Sequence, residues 1–336
     1  MVMNPLCSAT ELSVDGIQAV RLENEWLKAV ILVGKGTDIW ELVYRPLNLE
    51  LLMKTRAGLS PLAGRDLREN RLIHYADPYP GGWQEILPNR ASFGNGSGEV
   101  SRREEGESAG VPWEYSIDRG DGRDVALRCR LALPYTPLTV EKTISLKAGE
   151  SVLRIDERVV NTGDAPVHFI WTHHPAFGAP LVDEHSRIVL PEGAVAFNID
   201  RYEQNKEQSP ARFEEEIASV TLPSGTKKNL LRVDPRGSEG EACYVPLMGL
   251  KEGTAGIDNP SLNVGLRIDW DHEAFPCLRY WSNTDENMYT LALEPSSSWF
   301  SDIGDCMRHG NCISLKPREK KRFWLNIRVE QPGRQE

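Results

Sequence analysis

The sequence predicts an all-β fold, a large antiparallel β-sandwich running as a single domain over residues 1–336. Three observations lead there. Short segments rich in β-branched and aromatic residues recur from end to end, divided by Gly, Pro, Asn and Asp clusters with turn chemistry. Leu127, Cys129, Leu131 and Leu133 alternate with Arg128 and Arg130, the period of two that a half-buried strand requires. Helical periodicity is scarce, and only residues 211–220 (ARFEEEIASV) offer a candidate short helix. Many short strands in one chain must stack or close their sheets to hide the edges, and no fixed-period repeat favours a propeller or solenoid.

Each part of the chain fits that frame. Residues 95–110 (NGSGEVSRREEGESAG), the most polar and Gly-rich stretch, read as a long surface loop between strands, as do residues 204–216 and 234–241. A formal net charge of -10 with no concentrated basic patch argues against nucleic acid as a partner. The one basic run, KPREKKR at residues 316–322, reads as a solvated turn ahead of the last strand. Six cysteines without a CxxC pair read as reduced thiols, and CMRHGNC at residues 306–312 has the wrong spacing for zinc, so no metal is expected. The first residues lack a basic and apolar leader, and the AVILV run at 29–33 is too short to span a bilayer. The expectation is therefore a cytoplasmic protein with no membrane partner.

Three segments carry chemistry. In residues 74–96 (HYADPYPGGWQEILPNRASFGNG) the paired glycines permit close backbone approach, Trp83 offers an aromatic face, and Gln84, Asn89 and Arg90 offer directional hydrogen bonds. Sugars need that mixture of apolar stacking and fixed polar partners. A plain turn with a core tryptophan would look the same. In residues 169–180 (FIWTHHPAFGAP) a strand is expected to end at His174-Pro175, because proline cannot continue a central ladder. Adjacent His173 and His174 would face opposite ways, so one at most enters a pocket. In residues 288–299 (MYTLALEPSSSW) alternation sets Leu291 and Leu293 on one face and Ala292 and Glu294 on the other, leaving Glu294 as a catalytic carboxylate or an ordinary rim charge. A serine-hydrolase elbow, a P-loop and a dinucleotide fingerprint are all absent.

With these residues in view, the chain resembles the aldose 1-epimerase, or galactose mutarotase-like, family. LPNRASFGNG at 87–96 is similar to the family's substrate-arginine segment, HPAFG at 174–178 to the motif with its catalytic histidine, and LALEP at 291–295 to the segment with its catalytic glutamate. FPCLRYWSN at 275–283, VPWEY at 111–115 and GTDIWEL near the start give weaker support across essentially the whole length. The resemblance implies a galactose mutarotase-like supersandwich that interconverts the α and β anomers of a free sugar, with or without a phosphate, and needs no cofactor. It implies His174 as general acid and Glu294 as general base, with Asn89, Arg90, Trp83, His74, His173 and Trp281 about the substrate. Two departures stand out: GESAGVPW lacks the family's second pocket histidine, for which His74 or His173 is the expected substitute, and only Glu241 offers a counterpart to a substrate-binding aspartate. For a phosphorylated sugar, Arg90 and Arg279 are the candidate cations. A carbohydrate-binding sandwich without turnover, or an accessory sandwich of a lyase or glycosidase, is the competing expectation. The physiological sugar and the oligomeric state are not readable from the sequence.

Overall fold

The computed structural model describes residues 6–62, 79–93, 106–238 and 241–331. Among the described residues the strands form a 13-stranded sheet, an 8-stranded sheet and a two-stranded ribbon. The paired strands among the described residues run antiparallel, as in β5 (Val167–Gly178) against β2 (Trp83–Phe93) and β4 (Val152–Asn161) against β3 (Leu138–Lys147). The middle of the larger sheet runs, in space, β1 (Asp38–Tyr44), β2, β5, β8 (Thr290–Ser296), β7 (Cys277–Asn283), β6 (Cys243–Met248). In the smaller sheet β4 lies between β3 and β9 (Lys320–Glu330).

The two sheets share one apolar core, to which Leu127, Val140, Ile144 and Ile155 come from one and Trp171, Leu278, Leu291 and Leu293 from the other. The alternation read from residues 127–133 holds: Leu127 and Cys129 are buried, Leu131 packs on the core, and Arg128 and Arg130 are exposed. Burying each such aliphatic side chain contributes roughly 1.5–3 kcal/mol. The larger sheet's central strands are covered on both faces, every residue of β8 being buried. That double burial makes room for a second, separate cluster of Met53, Ala176, Ala292, Tyr79 and Trp281 on the face turned away from the main core.

Three expectations fail locally. Residues 211–220 are not an α-helix: a 3-10 turn at Pro210–Phe213 leads into extended chain, with Glu214 paired to Phe197. Phe213 is drawn into a small aromatic cluster with Phe197, Tyr202 and Phe300, and the extended pairing outweighs helix propensity over so short a stretch. The stretch 95–110 is not all surface loop, for although 94–105 lie outside the described residues, Glu107 and Ser108 are buried. The Glu107 carboxylate accepts the N–H groups of Tyr135 and Thr136 at 2.9 and 3.1 Å, and the Ser108 hydroxyl donates to the carbonyl of Glu85 at 2.9 Å.

The strand through His174 does not stop at Pro175 but continues to Gly178. Toward β8 the paired residues jump from Thr172 with Ser296 to Ala176 with Ala292, so the ladder opens around Pro175, which has no N–H to leave unsatisfied there. The basic run is solvent-exposed as expected, but only residues 316–319 form a turn before β9, and Lys320, Lys321 and Arg322 are the first residues of that strand. No helix among the described residues is long and apolar enough to cross a membrane.

Gly81 and Gly82 meet the close approach foreseen for them. Both have positive φ, +94° and +84°, and a Cβ on Gly81 would collide with the carbonyl oxygen of Met53. The Gly82 N–H donates to that same oxygen at 2.8 Å and its carbonyl accepts the Ala176 N–H at 3.1 Å, which ties this turn to β5. Gly81→Ala is therefore expected to lower unfolding stability by about 1–3 kcal/mol, read from denaturant titration; unchanged stability would mean that the turn relaxes freely.

Candidate functional site

At the opened stretch of ladder His174 and Glu294 face one another, with His174 Nε2 3.3 Å from Glu294 Oε1. His174 is on the opposite face from its neighbour, as strand geometry demands. On the other side of the ring the Tyr79 hydroxyl lies 3.2 Å from His174 Nδ1. A neutral ring that accepts from Tyr79 at Nδ1 turns its Nε2–H side toward Glu294, and a cationic ring is paired with that carboxylate by charge. The imidazole can thus gain or lose a proton without moving.

The surroundings are aromatic and shallow-floored. The Trp281 ring is tilted over His174 at 5.6 Å between centroids, and Tyr79 meets both rings edge-on, at 5.3 Å from His174 and 6.0 Å from Trp281. Ala176 and Ala292, paired across the strands, stand one step along the same face, and Trp281 is opposite Ala292 on β7. Two alanines between aromatic rings leave a flat apolar surface beside a polar pair. Gln84 lies opposite His174 on β2 and bonds Asp38 on β1.

Burial governs the electrostatics. Glu294, only 3% exposed, has its carboxyl raised above the usual carboxylate range by desolvation, with the nearby His174 and Arg279 pulling it back down. Desolvation also holds the Tyr79 hydroxyl well above its ordinary value, aided by the charges of Glu294 and Asp38, so it stays a neutral donor.

The residues expected at the pocket divide. His174, Glu294 and Trp281 come together. Trp83 and His173 do not: both lie in the core between the sheets, 2% and 1% exposed, and their rings meet edge-on at 6.3 Å. Their odd-numbered positions put them on the inner face of β2 and β5, where the opposite sheet covers them. His173 therefore cannot stand in for a second pocket histidine. Asn89 is half-buried on β2, and His74 and the side chain of Arg90 lie outside the described residues. Glu241 is no counterpart to a substrate aspartate, for it is exposed and accepts the Ser224 N–H at 3.1 Å. Tyr79 was missed, since nothing in HYADPYP separates it from Tyr75.

A larger omission lies beneath the site. His173 and Glu85, opposite one another on β5 and β2, face Lys142 and Glu157, opposite one another on β3 and β4 of the other sheet. His173 Nε2 is 3.1 Å from Glu157, while Lys142 contacts Glu85, lies 3.5 Å from Glu157 and donates to the Thr37 hydroxyl at 2.9 Å. The ligand atoms of Glu85, Glu157 and His173 fall within 4.8 Å of one another, as for a metal, but the Lys142 ammonium sits among them and supplies the cation. Desolvation opposes the Glu157 charge, yet His173 and Lys142 outweigh it and hold that carboxyl below its ordinary value; Lys142 is itself pushed down by burial. The signal was present in the sequence, because Lys142 falls between inward-facing Val140 and Ile144, and Glu157 between Ile155 and Val159. In CMRHGNC, Cys306 donates to the carbonyl of Asn311 at 2.5 Å, and the His309 ring stacks on Phe300 at 4.9 Å.

The family model described as "Domain of unknown function (DUF4432)" matches residues 130–329, which include Lys142, Glu157, His173, His174 and Glu294. No curated protein matches the chain in sequence. Among solved structures, a galactose mutarotase-like protein from Clostridium acetobutylicum superposes with a TM-score of 0.69 at 14% identity, covering 97% of this chain and 99% of that one. Galactose 1-epimerase from Lactobacillus acidophilus NCFM gives 0.63 at 14% identity, over 97% and 98%. A TPR-domain containing protein from Parabacteroides distasonis gives 0.61 at 14% identity, and there the chain, 95% covered, spans only 48% of the other's length. At such identities the likeness shows the fold, a galactose mutarotase-like sandwich.

Proposed function

This chain belongs to the family described as Domain of unknown function (DUF4432), and from that premise and its mutarotase-like fold we propose that it interconverts the anomers of a free sugar by acid–base ring opening. The observation that carries the reading is the facing pair His174 and Glu294, an imidazole and a buried carboxylate 3.3 Å apart beside Trp281 and a floor of two alanines. Glu294 takes the proton of the C1 hydroxyl while His174 protonates the ring oxygen. Rotation about C1–C2 then offers the other carbonyl face, and the two residues exchange roles for closure. The sugar displaces the direct contact of the pair and lays its C–H face against Trp281. Tyr79, whose hydroxyl lies 3.2 Å from His174 Nδ1, orients the His174 ring.

The test is anomeric exchange followed by NMR with a panel of aldoses and their 6-phosphates. Acceleration of at least one sugar over the uncatalysed rate is expected. Because Glu294 must be ionised to act, and burial raises its carboxyl, the acid limb of kcat/KM is expected at a pH above the usual carboxylate range. The absence of the family's His-Gly histidine favours one other reading, a sugar-binding protein without turnover. Sugar-dependent thermal stabilisation with no exchange would select it over the enzyme.

A further inference from the structure

Beside Glu294 stands a cation that the resemblance does not assign to catalysis. Arg279 on β7 is opposite Glu294 on β8 and is 5% exposed. Its guanidinium is spent on the protein: Nε donates to the Ser298 carbonyl at 3.4 Å, Nη2 to the Ser298 and Phe300 carbonyls at 3.2 and 3.0 Å, and Nη1 to the Tyr244 hydroxyl at 2.7 Å. With four contacts made by five N–H groups, no bidentate face is left for a phosphate. Arg279 thus does not serve as the phosphate reader that a phosphorylated sugar would need. What the contacts do is fasten three pieces of chain, β7, β6 through Tyr244, and the segment after β8 at Ser298 and Phe300, four and six residues beyond Glu294.

We propose that Arg279 is the positioning residue for Glu294: its anchored guanidinium holds the neighbouring carboxylate in the charged, acceptor-only form and fixes the strand end that carries it. This rests on the reading of Glu294 as the base. The groups facing Glu294 are His174 on β5, Tyr79 ahead of β2, Tyr244 on β6, and Cys277 and Arg279 on β7. Of these only Arg279 is a permanent cation, for Tyr79, Tyr244 and Cys277 are neutral, their protons held more tightly by burial, and the imidazole itself changes charge in the reaction. A carboxylate this buried needs a fixed opposite charge to stay ionised while its partner gives up a proton.

The test compares wild type with Arg279→Gln, Arg279→Met and Arg279→Lys. One readout is the Glu294 carboxyl titration by 13C NMR, assigned by difference from Glu294→Gln; the other is the pH profile of exchange. In either neutral variant that folds, both the carboxyl titration and the acid limb are expected to move up by about one pH unit or more, a tenfold or greater change in the ionised fraction below the midpoint. Arg279→Lys is expected to restore both to within a few tenths of a unit. A carboxyl that titrates in a folded neutral variant as it does in wild type overturns the proposal, as does failure of the lysine to rescue. Wild type that accelerates exchange of no sugar would instead sink the enzyme reading, and the carboxyl titration still decides the role of Arg279.

Discussion

Glu294→Gln and His174→Asn are each expected to slow anomeric exchange by about a hundred- to ten-thousand-fold while leaving the fold intact. The loss should fall on kcat more than on KM, because neither group is needed to lay the sugar on Trp281 and the alanine floor. Removing both should cost little more than removing one, since acid and base act on a single ring-opening event. The stability side is the sharper expectation. The Glu294 carboxyl is raised in the folded protein, so that group's contribution to stability is present below its unfolded value and lost as pH rises through the folded value. Near pH 7 the charge is being held against the fold's preference, and the neutral, equally sized glutamine is expected to leave the melting temperature unchanged or higher. Loss of exchange with retained or increased stability would mark Glu294 as a functional group. A variant that melts earlier and keeps its rate would mark it as structural and remove the base from the mechanism.

Lys142→Met is expected to be the most destabilising single change, at about 3–5 kcal/mol, because it leaves Glu85 and Glu157 buried without their cation. The deficit should depend on pH in a defined direction. In wild type the Glu157 carboxyl is held below its ordinary value, so its contribution is full above the unfolded value and is lost as pH falls through the folded one. Without Lys142 the Glu157 carboxyl keeps only His173 to offset its burial, so the variant is penalised most at neutral pH and approaches wild type as the medium is acidified. Urea titrations at pH 5 and pH 7.5 read this directly. Equal deficits at the two values would show that lost packing of the lysine stem, and not the buried charge, is responsible.

Both expectations rest on one strand. Along β5, His173 and His174 are a single residue apart, yet one belongs to a buried ionic quartet between the sheets and the other to the candidate site. The quartet fixes the inner edge of the strand whose outer edge presents His174, so Lys142→Met should also reduce exchange wherever the protein remains folded.

Much of this was readable from local pattern. The alternation at residues 127–133, the opposed faces of residues 291–294 and the divergence of the two histidines follow from the two-residue period of a strand, a property of adjacent residues. The same pattern overreached at residues 211–220, where helix propensity lost to pairing with Phe197. It overreached again at Pro175, whose missing N–H ends a ladder only if the neighbouring strand requires it, and β8 does not.

Local chemistry by itself determined an antiparallel all-β chain and the two faces of each strand, while the choice of His174 and Glu294 on those faces came from the family resemblance. Which face is covered by the second sheet and which is left for a ligand was decided only by the tertiary structure. Trp83 and His173, expected at the pocket, are covered by the opposite sheet, and Lys142 and Glu157, charged residues on apolar faces, meet Glu85 and His173 only where the two sheets pack. The reason is that strand register joins residues more than a hundred positions apart, His174 with Glu294 among them. Such pairings are set by the packing of whole sheets, of which no single segment carries a record.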